Sequence, residues 1–241
     1  MQYSFAAKIN YEDFSSGRVI LNKIGFTNYP VRLACEIFSR CLSAVGKSEN
    51  LAVYDPCCGC GYLLTVLGFL FNEKIGSLCG SDISEDAVDL TMKNLNLLTT
   101  SGLRNRKMQL KALHDSHGKN SHLLAIQSAD RLESFLKNKI RLNAFTRDIL
   151  DPKQSVCRDF LADIIITDVP YGNLTSWSNN DGFAIDKMLD NLLPNLNPRS
   201  VVAVSGDKSQ KIGNPKYKRI DKFLVGKRKI ELLKINESHG K

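Results

Sequence analysis

The stretch VYDPCCGCGYLL, residues 53–64, decides the architecture. It begins as a short buried strand and places a carboxylate at its end, Asp55. It then passes through Pro56 into a Gly/Cys-rich turn and resumes as an apolar helix. Gly59 and Gly61 let the backbone turn tightly and approach a ligand without a Cβ in the way. A Gly-x-Gly pair alone is weak evidence. Here a second acid, Asp82, closes the next strand, GSLCGSDIS (76–84). A carboxylate at that second strand end is placed to accept both hydroxyls of a ribose.

The rest of the chain keeps the same rhythm. PVRLACEIFSRCLSAV (30–45) carries apolar side chains at helical spacing, with Pro30 in the first turn and Asn28 as the expected cap. SEDAVDLTMKNLNLLT (84–99) is an amphipathic helix capped by Ser84. LNAFTRDI (142–149) reads as a strand ending on Asp148, and ADIIITD (162–168) as one ending on Asp168. FAIDKMLDNLLPNL (183–196) reads as a helix and SVVAVSGD (200–207) as a strand. YKRIDKFLVGKRKIELLKIN (217–236) reads as an antiparallel pair turning at Gly226. Strands alternating with helices predict an α/β fold, Rossmann-like, with a mostly parallel doubly wound sheet and an antiparallel C-terminal strand pair. We read residues 1–241 as a single domain. It comprises an N-terminal helical segment (1–48) and a basic helical insertion (about 100–141) between the second and third strands.

Ligands of such sheets bind beyond the carboxyl ends of the strands. Four strands are expected to end there on an acid: Asp55, Asp82, Asp148 and Asp168. A dinucleotide fingerprint would need a third glycine where Leu64 stands, and no phosphate-binding Gly-Lys-Ser/Thr occurs. Asp55 suits a cation better than a pyrophosphate, which favours the amino group or sulfonium region of S-adenosylmethionine. The expected cofactor set is Asp55, Gly59, Gly61, Asp82, Ile83, Asp148 and Ile149. Asp148 either accepts from an adenine amino group or caps a helix.

Composition sets the outer limits. The 241 residues suffice for one large α/β domain with a full core. No apolar run reaches the roughly 18 residues of a membrane span, and MQYSFAAKINYEDF lacks the features of a secretion signal. The seven cysteines are an odd number outside any disulfide framework, so reduced thiols and a cytoplasmic location are expected. Cys57, Cys58 and Cys60 do not have zinc-knuckle spacing, and His114, His117 and His122 sit in what reads as a polar loop. No metal is expected.

The net charge of +8 is concentrated. Residues 102–141 hold nine Lys/Arg against three Asp/Glu, and 208–230 hold nine against one, so the remainder is mildly acidic. Basic runs are common on ordinary solvated faces. Two dense ones favour a polyanionic partner, nucleic acid above all. Arg104, Arg106 and Lys107 on the insertion, with Lys208, Lys211, Lys216, Lys218 and Arg219, are the expected phosphate contacts.

The chemistry is expected at IIITDVPYGN, residues 164–173. Proline ends strands, and an aromatic after it can be mere packing. Together with the cofactor loop, the pattern has a sharper reading. An aromatic exocyclic amine is a poor nucleophile because its lone pair is delocalised into the ring. Two acceptors aimed at its hydrogens favour a pyramidal nitrogen and stabilise the developing positive charge. The Asp168 side chain offers one, and the Val169 carbonyl, stiffened by Pro170, offers the other. Tyr171 offers a face for a base taken out of its stack. Carbon-5 pyrimidine methylation needs a cysteine in or near this turn, and Cys157 lies a strand earlier.

With DPCCGCGYL, SDIS and TDVPYG in place, the chain resembles class I S-adenosylmethionine-dependent methyltransferases bearing a D/N-P-P-Y turn. PVRLACEIFSRCL, DPCCGCGYLLTVLG, LTMKNLNLL and TDVPYGNLTSW, ending in Trp177, resemble more narrowly the AviRa family of ribosomal RNA methyltransferases, from about residue 10 to 235. The resemblance implies that Asp55, Gly59, Gly61 and Asp82 hold S-adenosylmethionine. It further implies that Asp168, Pro170 and Tyr171 face the target base, and that this base is a guanine of large-subunit (23S) ribosomal RNA. Two positions depart from the general pattern. Val169 stands where Pro is usual, which keeps the carbonyl and loses some rigidity. Cys60 stands where many relatives have Ser.

The residues themselves do not name the base. The turn suits N2 of guanine, N6 of adenine or N4 of cytosine. If the base is guanine, N2 fits best, with ring N1 as the alternative and Asp168 then acting as a base. DNA, transfer RNA or a protein amide are competing substrates. A non-catalytic RNA-binding module is the reading from another class.

Overall fold

The computed structural model describes residues 3–26, 28–154, 160–170 and 183–236. Tyr171, Gly172, Trp177 and Cys157 lie outside the described residues. The described chain forms one seven-stranded sheet in the order β3-β2-β1-β4-β5-β7-β6. The strands are β1 (Leu51–Asp55), β2 (Ile75–Asp82), β3 (Arg141–Thr146), β4 (Ala162–Asp168), β5 (Leu196–Asp207), β6 (Tyr217–Val225) and β7 (Arg228–Ile235). Strands β1 to β5 pair in parallel with one another, and β7 runs antiparallel to both β5 and β6.

The triple isoleucine explains how the layers stack. Side chains alternate along a strand, so Ile164 and Ile166 enter one core and Ile165 the other. Val201 and Ala203 on β5 join the first core, and Val202 and Val204 join the second. The first lies under α1 (Val31–Val45), α2 (Tyr62–Leu70) and α3 (Glu85–Asn96), anchored by Leu33, Phe38, Leu64 and Leu67. The second lies under α6 (Ala184–Leu192), with Met188 and Leu189 packed on Tyr54 and Ile165. A strand buried on both faces reads as a continuous apolar run, and each fully buried Leu or Ile contributes roughly 1.5–3 kcal/mol.

Helix starts follow local chemistry. Ser84 caps α3, its hydroxyl accepting from Ala87 N at 3.4 Å. Gly61 precedes α2 with φ 71°, and a Cβ there would lie 2.8 Å from Thr91 Cγ2, so both conformation and space demand glycine. Asn28 is not a cap: Pro30 itself holds the N-cap position of α1, with no side-chain hydrogen bond. The insertion is two antiparallel helices, α4 (Thr100–His117) and α5 (Asn120–Glu133). HDSHGKNSH is therefore no extended loop. It is a helix end, a left-handed Gly118 (φ 61°) whose N–H bonds His114 O at 2.7 Å, and the start of the next helix.

The N-terminal segment is less helical than expected. Before α1 only a 3-10 turn, Glu12–Phe14, is regular. Residues Ser4, Phe5 and Ala6 are tied down by N–H bonds of 3.0, 2.8 and 2.9 Å to Glu36 on α1. Burial of Glu36 disfavours its charge. Those three donors and Arg40 outweigh that and hold its pKa below the usual carboxylate range.

Candidate functional site

Register brings the acids to one rim. Asp55, Asp82 and Asp168 are the last residues of β1, β2 and β4, and β5 adds Asp207. Asp148 is an exception. β3 stops at Thr146, although Arg147 N still bonds Asp82 O at 2.8 Å. The chain leaves the sheet there because the Arg147 side chain turns inward to Asn191 O (3.1 Å) and Tyr54 Oη (3.4 Å). Asp148 then closes a turn, its Oδ1 accepting from Leu150 N at 2.9 Å.

The glycine turn is folded onto the second strand. Gly59 N donates to Asp82 Oδ2 at 2.9 Å, and Ser84 N to Asp82 Oδ1 at 3.1 Å. A carboxylate has about four acceptor positions, so each oxygen keeps capacity for a further donor. Ile83 beside it is 65% exposed, whereas Ile149 is 3% exposed and packs in the second core.

Asp55 is 2% exposed and accepts from Cys57 N at 3.1 Å. Burial pushes its pKa up to about 7, and the charges of Asp82 and Asp168 push the same way. The Thr167 hydroxyl, buried on the neighbouring strand, lies near enough to Asp55 to oppose this shift. A buried acid whose charge is disfavoured by burial and by two neighbouring carboxylates gains most from a cationic ligand. These features fit S-adenosylmethionine, whose amino group and sulfonium are positive.

Asp168 is gripped from two strands that sequence reading did not implicate in the site. Ser205, its partner in the β4–β5 register, donates from Oγ to Asp168 Oδ1 at 2.9 Å and accepts at its carbonyl from Val169 N at 2.8 Å. Arg228 Nη2 lies 3.5 Å from Asp168 Oδ2. Burial raises the Asp168 pKa, and Arg228 and Ser205 oppose it. Pro170 O accepts from Gln210 Nε2 at 3.1 Å. A polar residue at the carboxyl end of SVVAVSGD was the available signal for Ser205. Arg228 shows in the sequence only as charge.

The cysteines of the turn are packing groups. Cys58 and Cys60 are buried in the first core, and burial drives the Cys58 thiol well above its ordinary range. Among the described residues, no three His, Cys, Asp or Glu side chains gather as metal ligands. A cavity of about 560 Å³ lined by Phe69, Phe71, Asn72 and Phe135 lies at the opposite end of β1 and β2, away from the acids.

The basic residues divide into two kinds. Arg106 donates to the Val19 and Arg18 carbonyls at 3.0 and 3.3 Å. Lys107 pairs with Asp130 (2.6 Å) and Glu133 (3.1 Å), Lys216 with Asp190 (2.9 Å), and Arg219 with Glu231 (2.9 Å). Arg104, Lys208, Lys211 and Lys218 are exposed and make no ion pair among the described residues.

Parallel strands that deliver acids to one rim, beside a glycine turn bonded to the second acid, define a doubly wound α/β protein of the nucleoside-cofactor-binding class. A family model described as rRNA methyltransferase AviRa matches residues 1–228. The 23S rRNA (guanine(2535)-N(1))-methyltransferase of Streptomyces viridochromogenes is 33% identical over 233 residues, covering 94% of this chain and 93% of its own. A solved structure of rRNA methyltransferase AviRa from the same organism matches with a TM-score of 0.88 at 33% identity, over 97% of this chain and 96% of that one. The fold alone extends further, to a putative methyltransferase yhhF from Escherichia coli, with a TM-score of 0.54 at 10% identity over 90% and 91% of the two chains. The chain belongs to the AviRa family of rRNA methyltransferases.

Proposed function

We propose that the protein methylates a guanine of large-subunit ribosomal RNA, at ring N1, using S-adenosylmethionine. The observation that carries this is the Asp168 carboxylate, largely buried at the end of β4, held by Ser205 and adjoining the Asp55 site. Family membership and the Streptomyces relative's name support the substrate class and the atom.

When bound, S-adenosylmethionine supplies an electrophilic methyl group. Asp55 would hold its positive amino acid end, Gly59 and Gly61 would admit it closely, and Asp82 would take the ribose hydroxyls. Ile83 would offer an apolar surface to the adenine, and Asp148 and Ile149 are the remaining candidates on the adenine side.

Sequence reading preferred N2, on the logic of an amine facing two acceptors. N1 makes a different demand. It carries one proton that must leave before the ring nitrogen can attack, so the turn needs a base. Burial raises the Asp168 pKa, and a raised carboxyl is a stronger base near neutral pH. The Val169 carbonyl would be the acceptor for the neighbouring amine, orienting the ring.

The test is methyl transfer from labelled S-adenosylmethionine to unmodified large-subunit RNA, with nucleoside mass spectrometry and Asp168→Asn alongside. We expect 1-methylguanosine, reduced at least about 100-fold in the variant. Product at N2 would return the reaction to the amine chemistry. Methylation of transfer RNA, DNA or protein instead would overturn the substrate.

A further inference from the structure

We propose that Arg228 is the positioning residue of the catalytic turn: its guanidinium fixes the Asp168 carboxylate so that one oxygen stays aimed at the target nitrogen. This rests on the reading of Asp168 as the group that faces the base.

The geometry comes from the C-terminal hairpin. Arg228 opens β7 directly after the Gly226–Lys227 turn and stands opposite Asp207 in the β5–β7 ladder. That register sets its side chain over the end of β4, with Nη2 3.5 Å from Asp168 Oδ2. Asp168 Oδ1 is taken from the other side by Ser205 Oγ at 2.9 Å. The two oxygens thus have separate holders, and the carboxylate plane is fixed by both. Arg228 is itself braced, its guanidinium carbon 5.3 Å from the centre of the Tyr29 ring, just ahead of α1. The next residue, Lys229, bonds the Gln210 carbonyl, and Gln210 in turn donates to Pro170 O at 3.1 Å. Successive residues of β7 therefore secure both ends of Asp168-Val169-Pro170.

The electrostatics follow the same layout. Ser205 from β5 and Arg228 from β7 favour the charged form of Asp168. The Asp55 carboxyl at the end of β1 and the Cys57 thiol after it also feel its charge, and neither offers a cation. Among the described groups facing Asp168, Arg228 is the cation that offsets burial. A base that must accept a proton has to be ionised first, so loss of Arg228 should confine activity to higher pH. A merely structural arginine would not do this.

The experiment compares the parent with Arg228→Gln, Arg228→Lys and Asp168→Asn. It measures kcat and kcat/KM for methylation of unmodified large-subunit RNA across about pH 5.5 to 9, at saturating S-adenosylmethionine. In Arg228→Gln we expect the acid limb of kcat to move up by about one pH unit, with a loss of roughly tenfold near pH 6 that narrows toward pH 9. In Arg228→Lys the limb should stay near the parent's. An unchanged limb in Arg228→Gln, or a pH-independent loss shared equally by both variants, would overturn the proposal. If Asp168→Asn keeps full activity, the reading of Asp168 fails first and by itself. Should Arg228→Gln not fold, carboxyl NMR titration of Asp168 in the parent and Arg228→Lys decides. Equal titration midpoints in ion-pair-breaking high salt and in low salt would count against the role.

Discussion

Asp55 makes the most direct prediction at the scale of single residues. Its folded pKa of about 7 lies above the ordinary 3.8, so the folded protein retains a proton that the unfolded chain releases between those values. The contribution of Asp55 to stability is therefore present at acid pH and lost as pH rises through 7. In the cofactor-free protein, Asp55→Asn should stabilise by up to roughly 4 kcal/mol near pH 8 and change little near pH 4. Denaturant unfolding at the two pH values measures this directly. A cation seated at Asp55 reverses the cost, so S-adenosylmethionine should bind more tightly at pH 8 than at pH 6. Isothermal titration calorimetry on the parent and on Asp55→Asn would show the pH dependence in the parent alone. The residue's identity was legible in the sequence. Its burial beside Thr167 was not, because Thr167 lies on a strand that arrives more than a hundred residues later.

Secondary-structure elements sort the basic residues in a way that charge counting could not. α4 uses Arg106 to hold the loop at Arg18 and Val19, and β6 uses Arg219 to neutralise Glu231, which is 3% exposed on β7. Charge reversal at Arg104, Lys208, Lys211 or Lys218 should weaken RNA binding. Each phosphate interaction removed in this way should lower the salt dependence by about one unit of slope. Arg106→Ala should instead cost about 1–3 kcal/mol of stability and leave the salt slope unchanged. Filter binding over a range of salt, with melting curves, separates the two groups. β3 and β6 are opposite edges of the sheet, six strand spacings or roughly 29 Å apart. Lys218 pairs with Lys234 near the start of β6, whereas Asp207 stands opposite Arg228 at the other end of the hairpin, so Lys218 lies away from the rim of acids.

Ligand binding and folding meet at the scale of the whole molecule. The proposed cofactor site is shared by β1, β2, the glycine turn and the end of β4, so a ligand there ties elements that are far apart in the chain. S-adenosylmethionine at about 100 times its Kd should add about 2.7 kcal/mol, raising Tm by roughly 5–10 °C for a domain of this size. Asp82→Ala should remove that increment, since it strips both the ribose acceptor and the 2.9 Å anchor of Gly59. Differential scanning fluorimetry with and without ligand reads both. No helix among the described residues is long and apolar enough to cross a membrane.

The alternation of strand and helix patterns, the glycine turn after Asp55 and the apolar IIITD run were enough to specify the doubly wound sheet, its antiparallel C-terminal pair and three of the four strand-end acids. These are local signals: period, turn chemistry and the residue at which an apolar run stops. Asp148 was misplaced as a strand end because Arg147, directly after the last residue of β3, turns inward to Tyr54 and Asn191, partners no local pattern reveals. Ser205 and Arg228 became part of the site only when β5 and β7 were set in register beside β4. Tertiary structure also decided which arginines face solvent and which are consumed inside the fold. An ion pair depends on distance in space, and the sequence records only distance along the chain.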